Sequence, residues 1–469
     1  HAKTYLHRIS KWNGSYFERI SLKALGLRIQ LGHPPGEKCV HSETCADDDF
    51  CIIDVNGVHN VAIDFCGCGQ SNQQHTVQLL RARLFPATVV SPKTAATFGC
   101  LEAFEVLSYE SKCTAFEYYR TLTRLTDNTG LVTVKVKSLT FILHLWADLR
   151  LQDRYLAFIR MTHEWRHLKM LKRAGRGHDP DRPIAQTAPG ECAVLCPACP
   201  QPGKNMMPGW EDEPPERRFL HALFVALDAN FRLKRKKVSS DEADPGLSKG
   251  WAYVVNESLY KTHLEKYKNE KEPKSTCSRH DAVNLSNLDH GPGHAASGVG
   301  TVDCSRHDMK RPNGVGDLQK GERYCNMDYM FWSSLKGTNL KAIVISYDIA
   351  CQWSINLKDR MSVIDEYFWI FHSDEIKVMY LVPKFHLPAH ILFCRTVYAF
   401  NYAPGVGRTD GEAPERGWAN INPLAPSTRE MGPGTRRDTL DYHFGDANWQ
   451  KVTRLGTALH RKLKAAAID

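Results

Sequence analysis

Phe219–Leu227 is a nearly unbroken apolar run that ends at Asp228, and Lys341–Tyr347 leads in the same way to Asp348. Carboxylates at the tips of neighbouring buried strands can converge on one divalent ion, and a third acid at a helix start completes a two-metal phosphoryl-transfer site. Asp410-Gly-Glu412-Ala-Pro-Glu415-Arg-Gly-Trp418 offers that third acid. Pro414 suits the first turn of a helix, which puts Glu415 inside the turn and Glu412 just outside it. The plainer reading is that strands often end in Asp and that Glu415 merely complements a helix N-terminus. The order strand, strand, helix, with basic residues beside the first and third acids, puts the two readings on an equal footing. A Ser-His-Asp mechanism has no Gly-x-Ser-x-Gly elbow behind it, and the sequence contains no phosphate-binding glycine loop of the P-loop or dinucleotide type.

The 15 cysteines and 21 histidines carry a second chemistry. An odd thiol count with closely spaced Cys and Cys/His pairs argues for zinc in a reducing compartment, not for a disulfide framework. Cys39, Cys45, Cys51, Cys66 and Cys68 stand among His33, His41, His59 and His75. Cys66-Gly-Cys68 forms one compact ligand pair, and Cys39 with Cys45 is the most natural second pair. Cys51 reads as a buried thiol within a strand. The spacing matches no common finger, so ordinary buried cysteines are the alternative. Later come Cys192-x3-Cys196-x2-Cys199, Cys277-x2-His280 and Cys304-x2-His307. Cys196, Cys199 and the two Cys/His pairs exceed one tetrahedral site, so either two ions bind or some of these residues are bystanders. Metal would tie together a polar segment too poor in apolar side chains to fold alone; incidental Cys and His in a disordered loop are the alternative.

The elements that must position these groups follow from periodicity. Residues 1–35 read as an amphipathic lead-in. Strand-like runs follow at Phe50–Val55 and Val61–Phe65, then a basic patch at Gln78–Pro86 and a helical pattern over 97–173. Arg160–Arg176 holds six Lys/Arg and one Glu, the strongest local basic helix in the chain. A Pro/Gly-rich linker covers Gly175–Glu216. Alternation at Phe231–Lys234 predicts a half-exposed second strand after Asp228. Residues 238–315, polar and rich in Gly, His and Asn, read as an insertion. Ile349–Leu357 is expected to continue from Asp348 as a helix. No fixed-period repeat is apparent. The expected division is 1–95, 96–180 and 181–469, in an α+β or α/β fold.

With 469 residues the chain suggests about two to four domains. Its 42% hydrophobic and 24% charged residues fit a folded soluble protein. No stretch approaches the roughly 18–20 consecutive apolar residues of a membrane span, so no membrane partner is expected. The net charge of +9 permits a polyanionic partner without demanding one. With His at position 1 and no basic-then-apolar leader after it, the chain reads as cut from something longer.

Several stretches resemble the KDZ (Kyakuja-Dileera-Zisupton) transposases of fungal DNA transposons. They are Val55-Asn-Gly-Val-His59 running into Asp64-Phe-Cys-Gly-Cys68, Gln78-Leu-Leu-Arg-Ala-Arg-Leu-Phe-Pro86 and Leu227-Asp-Ala-Asn-Phe231. Pro312–Tyr324, Tyr347-Asp-Ile-Ala-Cys351, Pro383–His390 and the Asp410–Trp418 block complete the set. The resemblance implies a cysteine-cluster zinc domain, a helical DNA-contacting region, and an RNase H-like core with a zinc-binding Cys/His insertion. It makes Asp228, Asp348 and Glu415 a DDE triad holding Mg2+ or Mn2+, with Glu412 the fallback third acid. Glu415-Arg-x-Trp418 also resembles the Glu-Arg-x-aromatic helix of hAT-like transposases, and Cys351 the paired position near the second acid in related transposases. His386 and His390 also fall in that region. Terminal-repeat and target DNA would meet Arg232, Lys234, Arg235, Lys236 and Lys237, and also Arg166, Lys169, Lys172 and Arg173. A nuclear location and a homo-oligomer are expected on the same ground. The chain stops about 50 residues past Glu415, short of the family's usual extent. The competing expectations are a catalytically idle or domesticated zinc DNA-binding protein and, more weakly, an RNase H-like nuclease without strand transfer.

Overall fold

The computed structural model describes residues 5–45, 48–68, 74–128, 154–269, 277, 293–362 and 376–468. The chain forms two compact units, 1–168 and 169–469. Both are mixed α and β.

In the first unit, β1 (Ile9–Trp12) and β2 (Phe17–Ile20) form a hairpin where an amphipathic lead-in was expected. A six-stranded sheet follows, built from β3 (Arg28–Gln30), β4 (Ser42–Thr44), β5 (Phe50–Asp54), β6 (Gly57–Cys66), β7 (Leu84–Pro86) and β8 (Thr94–Thr97), in the order β3-β6-β5-β8-β7 with β4 also on β6. Helix α1 (His75–Arg81) precedes β7. Helices α2 (Phe98–Ser111), α3 (Ala115–Thr126) and α4 (Tyr155–Arg173) follow β8. Thr114 and Glu117 close a capping box at the start of α3. Phe104, Leu122 and Phe158 from these helices share a core with Ile53 and Ala96 of the sheet. No boundary therefore falls at 95/96: the strands and helices bury one another's apolar faces and form one unit.

The second unit is built on β9 (Leu223–Asn230), β10 (Arg235–Lys236), β11 (His294–Ala296), β12 (Gly298–Cys304), β13 (Met309–Leu318), β14 (Ala342–Tyr347) and β15 (Lys377–Leu381). Its main sheet has the order β13-β12-β9-β14-β15. The β13, β12 and β9 pairings are antiparallel, while β9, β14 and β15 are parallel. The helices are α5 (Glu257–Lys266), α6 (Tyr324–Leu335), α7 (Ala350–Trp353), α8 (Leu357–Ser362), α9 (Leu392–Val397), α10 (Ala413–Ile421), α11 (Ala425–Thr428) and α12 (Pro433–Ile468).

Strands β9 and β14 are buried on both faces. Leu223, Val225 and Leu227 join Ile343, Ile345 and Tyr347 in one core, while Phe224, Ala342 and Val344 lie in another. That double burial explains their unbroken apolar sequence.

Three sequence expectations change here. Phe231–Lys234 is a turn, and only the two-residue β10 follows it. The alternation there comes from a turn that tucks Leu233 inward, not from a pleated strand. Ile349–Leu357 is likewise broken: α7 ends at Trp353 and α8 begins at Leu357. Residues 238–315 are also not one insertion, because β12 and most of β13 are strands of the main sheet, β12 inside it and β13 at its edge. Their Gly, Thr and Asp content masked them. Gly300 is packed by methionine, since a Cβ there would lie 2.3 Å from Met330 Cε of α6, which would have to shift.

Candidate active site and cysteine–histidine centres

Register brings the first two acids together. Tyr347 of β14 pairs with Leu227 of β9 in a parallel ladder. Asp228 and Asp348 each stand one residue further on and point to the same side, the one opposite Leu227 and Tyr347. Asp228 lies within β9, two residues before its end, and Asp348 directly follows β14.

The third acid arrives through a tight approach. Gly411 has φ +85°, and a Cβ there would lie 2.2 Å from Ser346 Oγ. Ser346 Oγ donates to the Gly411 carbonyl at 3.2 Å, which fixes the start of α10 against the end of β14. Pro414 is in the first turn of α10 and Glu415 is its first-turn acid, with Glu412 in the capping position. Glu412 accepts from the Phe385 backbone N–H at 2.7 Å. Glu415 is half exposed and lines a cavity of about 870 Å³ with Asp228, Phe231, Arg232, Trp418 and Asn422. His386 Nε2 lies 3.8 Å from Glu412 and 3.9 Å from Glu415.

Burial drives the Asp228 carboxyl well above the usual aspartate range, and the nearby charges of Asp348 and Glu415 push it further. Trp418 Nε1 opposes this by donating to Asp228 Oδ2 at 2.5 Å. The other side of the Trp418 ring meets Lys310 Nζ, 4.2 Å from its centre, and Lys310 is paired with the buried Asp303 at 2.7 Å. Asp348 Oδ1 is buried without a hydrogen-bond partner among the described residues. Such an oxygen is costly unless a cation serves it. The carboxylates are not drawn onto one point: among the described residues, the groups whose ligand atoms all lie within 4.8 Å of one another are Cys/His sets.

A fourth acid, Glu322, escaped the sequence reading. It is fully buried, accepts from the Tyr347 hydroxyl at 2.5 Å, and feels the charges of Asp348 and Asp228. It sits in the Pro312–Tyr324 stretch, but no apolar run leads into it to mark it as a strand-end acid.

Three Cys/His sets are closed to metal-ligand spacing. The first is His33, Cys39, Cys66 and Cys68. Cys39 Sγ lies 3.2 Å from Cys68 Sγ, and Cys66 Sγ 3.3 Å from His33 Nε2. Gln78 of α1 holds Cys66 by its backbone N–H and carbonyl, at 2.9 and 3.0 Å. Gly32 lets His33 approach, since a Cβ there would lie 2.6 Å from Cys66 Cβ. Cys45, expected as a ligand, points instead to the Pro92 carbonyl and is replaced by His33. The parallel pairing of β3 with β6 delivers that histidine, which no short spacing could reveal.

The second set is Cys196, Cys199, Cys304 and His307. Cys199 Sγ is 3.1 Å from Cys304 Sγ, and His307 Nδ1 is 3.4 Å from both Cys196 and Cys304. Contacts from the Cys199 and Cys304 thiols push the Cys196 thiol down to about 3, the behaviour of a ligand thiolate. The third set is Cys277, Cys351, His390 and Cys394, all buried. Cys277 thus joins core residues, while its expected partner His280 lies outside the described residues.

The expected DNA-contacting cations divide. Arg232 is exposed, Lys234 is half-buried, and both line a second cavity of about 450 Å³ with Phe231, His294, Pro426 and Arg429. Lys237 is exposed, and Lys236 is paired with Glu430. Arg235 is buried with Asp317 at 3.6 Å, and Arg166 packs over the Phe104 and Tyr109 rings at 5.0 and 5.4 Å. Arg235 is therefore not a surface phosphate contact, and Arg166 is half-buried against its two rings. Lys172 and Arg173 are exposed and Lys169 is half-buried.

Residues 221–448 match the family model described as Kyakuja-Dileera-Zisupton transposase, and residues 22–130 match that of a CxC2-like cysteine cluster associated with KDZ transposases. No curated protein and no solved structure matches the chain. Among the described residues, no helix is long and apolar enough to cross a membrane.

Proposed function

We propose that this chain, a KDZ transposase domain preceded by its associated cysteine cluster, is a DDE-type DNA transposase acting through Asp228, Asp348 and Glu415. The observation that carries the reading is that Asp228 feels the charges of both other acids: Asp348 follows the adjacent parallel strand, and Glu415 is on a helix whose Trp418 binds Asp228. The antiparallel–parallel strand order β13-β12-β9-β14-β15 supports an RNase H-like core.

Drawn together, the three carboxylates would hold two magnesium or manganese ions, one of which would serve the orphaned Asp348 Oδ1. Bound there, such ions supply activation of a water or 3′-hydroxyl and stabilisation of the leaving oxygen. The chain's own residues do the rest. Trp418 orients Asp228. Ser346 and Gly411 hold the start of α10, which carries Glu415, against the end of β14. Glu415 is preferred over Glu412 because Glu412 is engaged with the Phe385 backbone. Arg232, Lys234 and Arg429 line the adjoining cavity as phosphate contacts, and Phe231 offers a face for a base. Zinc at the first two Cys/His sets would staple the N-terminal sheet and the β12–β13 turn. With DNA as substrate the site of action is the nucleus, and a dimer or larger assembly would pair two element ends.

Incubation with element-end DNA and Mg2+ tests the reading. Cleavage and strand transfer lost in Asp228→Asn, with DNA binding retained, is the expected result. Wild-type binding without cleavage would favour the idle, domesticated protein, and cleavage without joining a nuclease.

A further inference from the structure

We propose that Cys277, Cys351, His390 and Cys394 form a third zinc site, and that its role is to set the position of the second and third acids. The proposal rests on the reading of Asp348 and Glu415 as site acids for the role, but not for the metal.

The donor set argues for the ion. Cys277 Sγ lies 3.2 Å from Cys394 Sγ and 3.3 Å from His390 Nδ1, and Cys351 Sγ is 3.5 Å from the same nitrogen. All four donor atoms lie within 4.8 Å of one another. Tetrahedral zinc with Zn–S near 2.3 Å and Zn–N near 2.0 Å has donor–donor edges of roughly 3.5–3.8 Å, so the Cys277–Cys394 edge needs to open by only about half an ångström. The sulfurs are too far apart for a disulfide, whose S–S length is about 2.05 Å. Three thiols and one imidazole leave no open position, the composition of a structural site. Burial, reinforced by the neighbouring thiols, raises the Cys351 thiol strongly.

The placement argues for the role. Cys351 stands in α7, three residues after Asp348. His390 and Cys394 lie on the segment after β15, which runs past the third acid's helix. Phe385 N–H there donates to Glu412, His386 faces Glu412 and Glu415, and Lys384 N–H donates to the Asp410 carbonyl at 2.9 Å. One ion would therefore bind the turn that carries Asp348 to the loop that braces the start of α10.

The test uses the full chain expressed with zinc. Mass spectrometry should count three zinc ions per chain, one for each Cys/His set. Cys394→Ser should bring the count to two, and Cys394→His should restore three. Cobalt exchanged into the wild-type protein should show charge-transfer absorption from nine thiolates, three from each set; this arm does not depend on any variant folding. The positioning role predicts that Cys394→Ser weakens Mn2+ binding at the acids, read by calorimetry, by about tenfold or more. A wild-type count of two, unchanged by Cys394→Ser, or absorption from six thiolates would overturn the metal site. A count falling from three to two with unchanged Mn2+ affinity would overturn the positioning role. A protein with three zinc ions that cleaves no DNA would leave the metal standing and remove the transposase reading.

Discussion

Asp228 shows how much of a site one side chain can report. It is buried, it faces two other acids, and its single described side-chain donor is Trp418. Asp228→Asn and Asp348→Asn should each lower metal-dependent cleavage by two to three orders of magnitude, because each removes several kcal/mol of charge stabilisation. Trp418→Phe keeps the ring and loses only the N–H. The loss of one hydrogen bond, about 1 kcal/mol, predicts a several-fold fall in rate. A fall as large as that of Asp228→Asn would show that Trp418 does more than orient. Away from the site, Asp441 is fully buried and accepts from the backbone N–H groups of Tyr253 and Val254 at 3.0 and 2.8 Å. Burial pushes its carboxyl up to about 8. The folded state therefore keeps a proton that the unfolded chain gives up near the ordinary aspartate value. Stability should fall as pH rises from about 4 to about 8 and then level off. Denaturant melts across that window should show the slope in the wild type and a weaker one in Asp441→Asn.

At the scale of elements, one helix makes opposite predictions at two glycines. A Cβ on Gly434 would lie 2.0 Å from the Gly246 backbone nitrogen, and no rotamer can relieve that contact. Gly434→Ala should destabilise by about 1–3 kcal/mol or more. Gly456, later in α12, has open space around it, so Gly456→Ala should stabilise by about 0.5–1 kcal/mol. Equilibrium unfolding of the two variants checks both signs. The same contrast explains what the sequence made legible. Strands β9 and β14 were readable, with Asp228 and Asp348, because burial on both faces leaves an unbroken apolar run. Strands β12 and β13 are as buried, yet Gly300 and Gly316 sit where Met330 fills the space, and Thr301 and Asp303 point inward among polar partners. Their sequence looks like a loop because the bulk of that core is supplied by α6. The metal sets divide likewise. Cys66-Gly-Cys68 and Cys196-x2-Cys199 are local turns, while His33 reaches its set, and the His390-x3-Cys394 pair reaches Cys277 and Cys351, only through tertiary packing.

Across the whole molecule, a unit that matches the cysteine-cluster model precedes one that matches the KDZ transposase model, and the net charge is +9. Arg235 is internal and Arg166 half-buried, while Arg232, Lys234 and Arg429 line the second cavity, and Arg232 also lines the one with Asp228 and Glu415. Replacing these three with Ala should weaken DNA binding with little regard to sequence. It should also flatten the dependence of log K on log salt by roughly 0.9 for each phosphate contact removed. The most direct test of the account is cleavage of element-end DNA compared across wild type, Asp228→Asn, Asp348→Asn, Glu415→Gln and Glu412→Gln, in Mg2+ and in chelator. The account predicts cutting by the wild type in Mg2+ alone, none by the first three variants, and substantial cutting by Glu412→Gln. Undiminished cutting by Asp228→Asn or Asp348→Asn, or cutting in chelator, would contradict it.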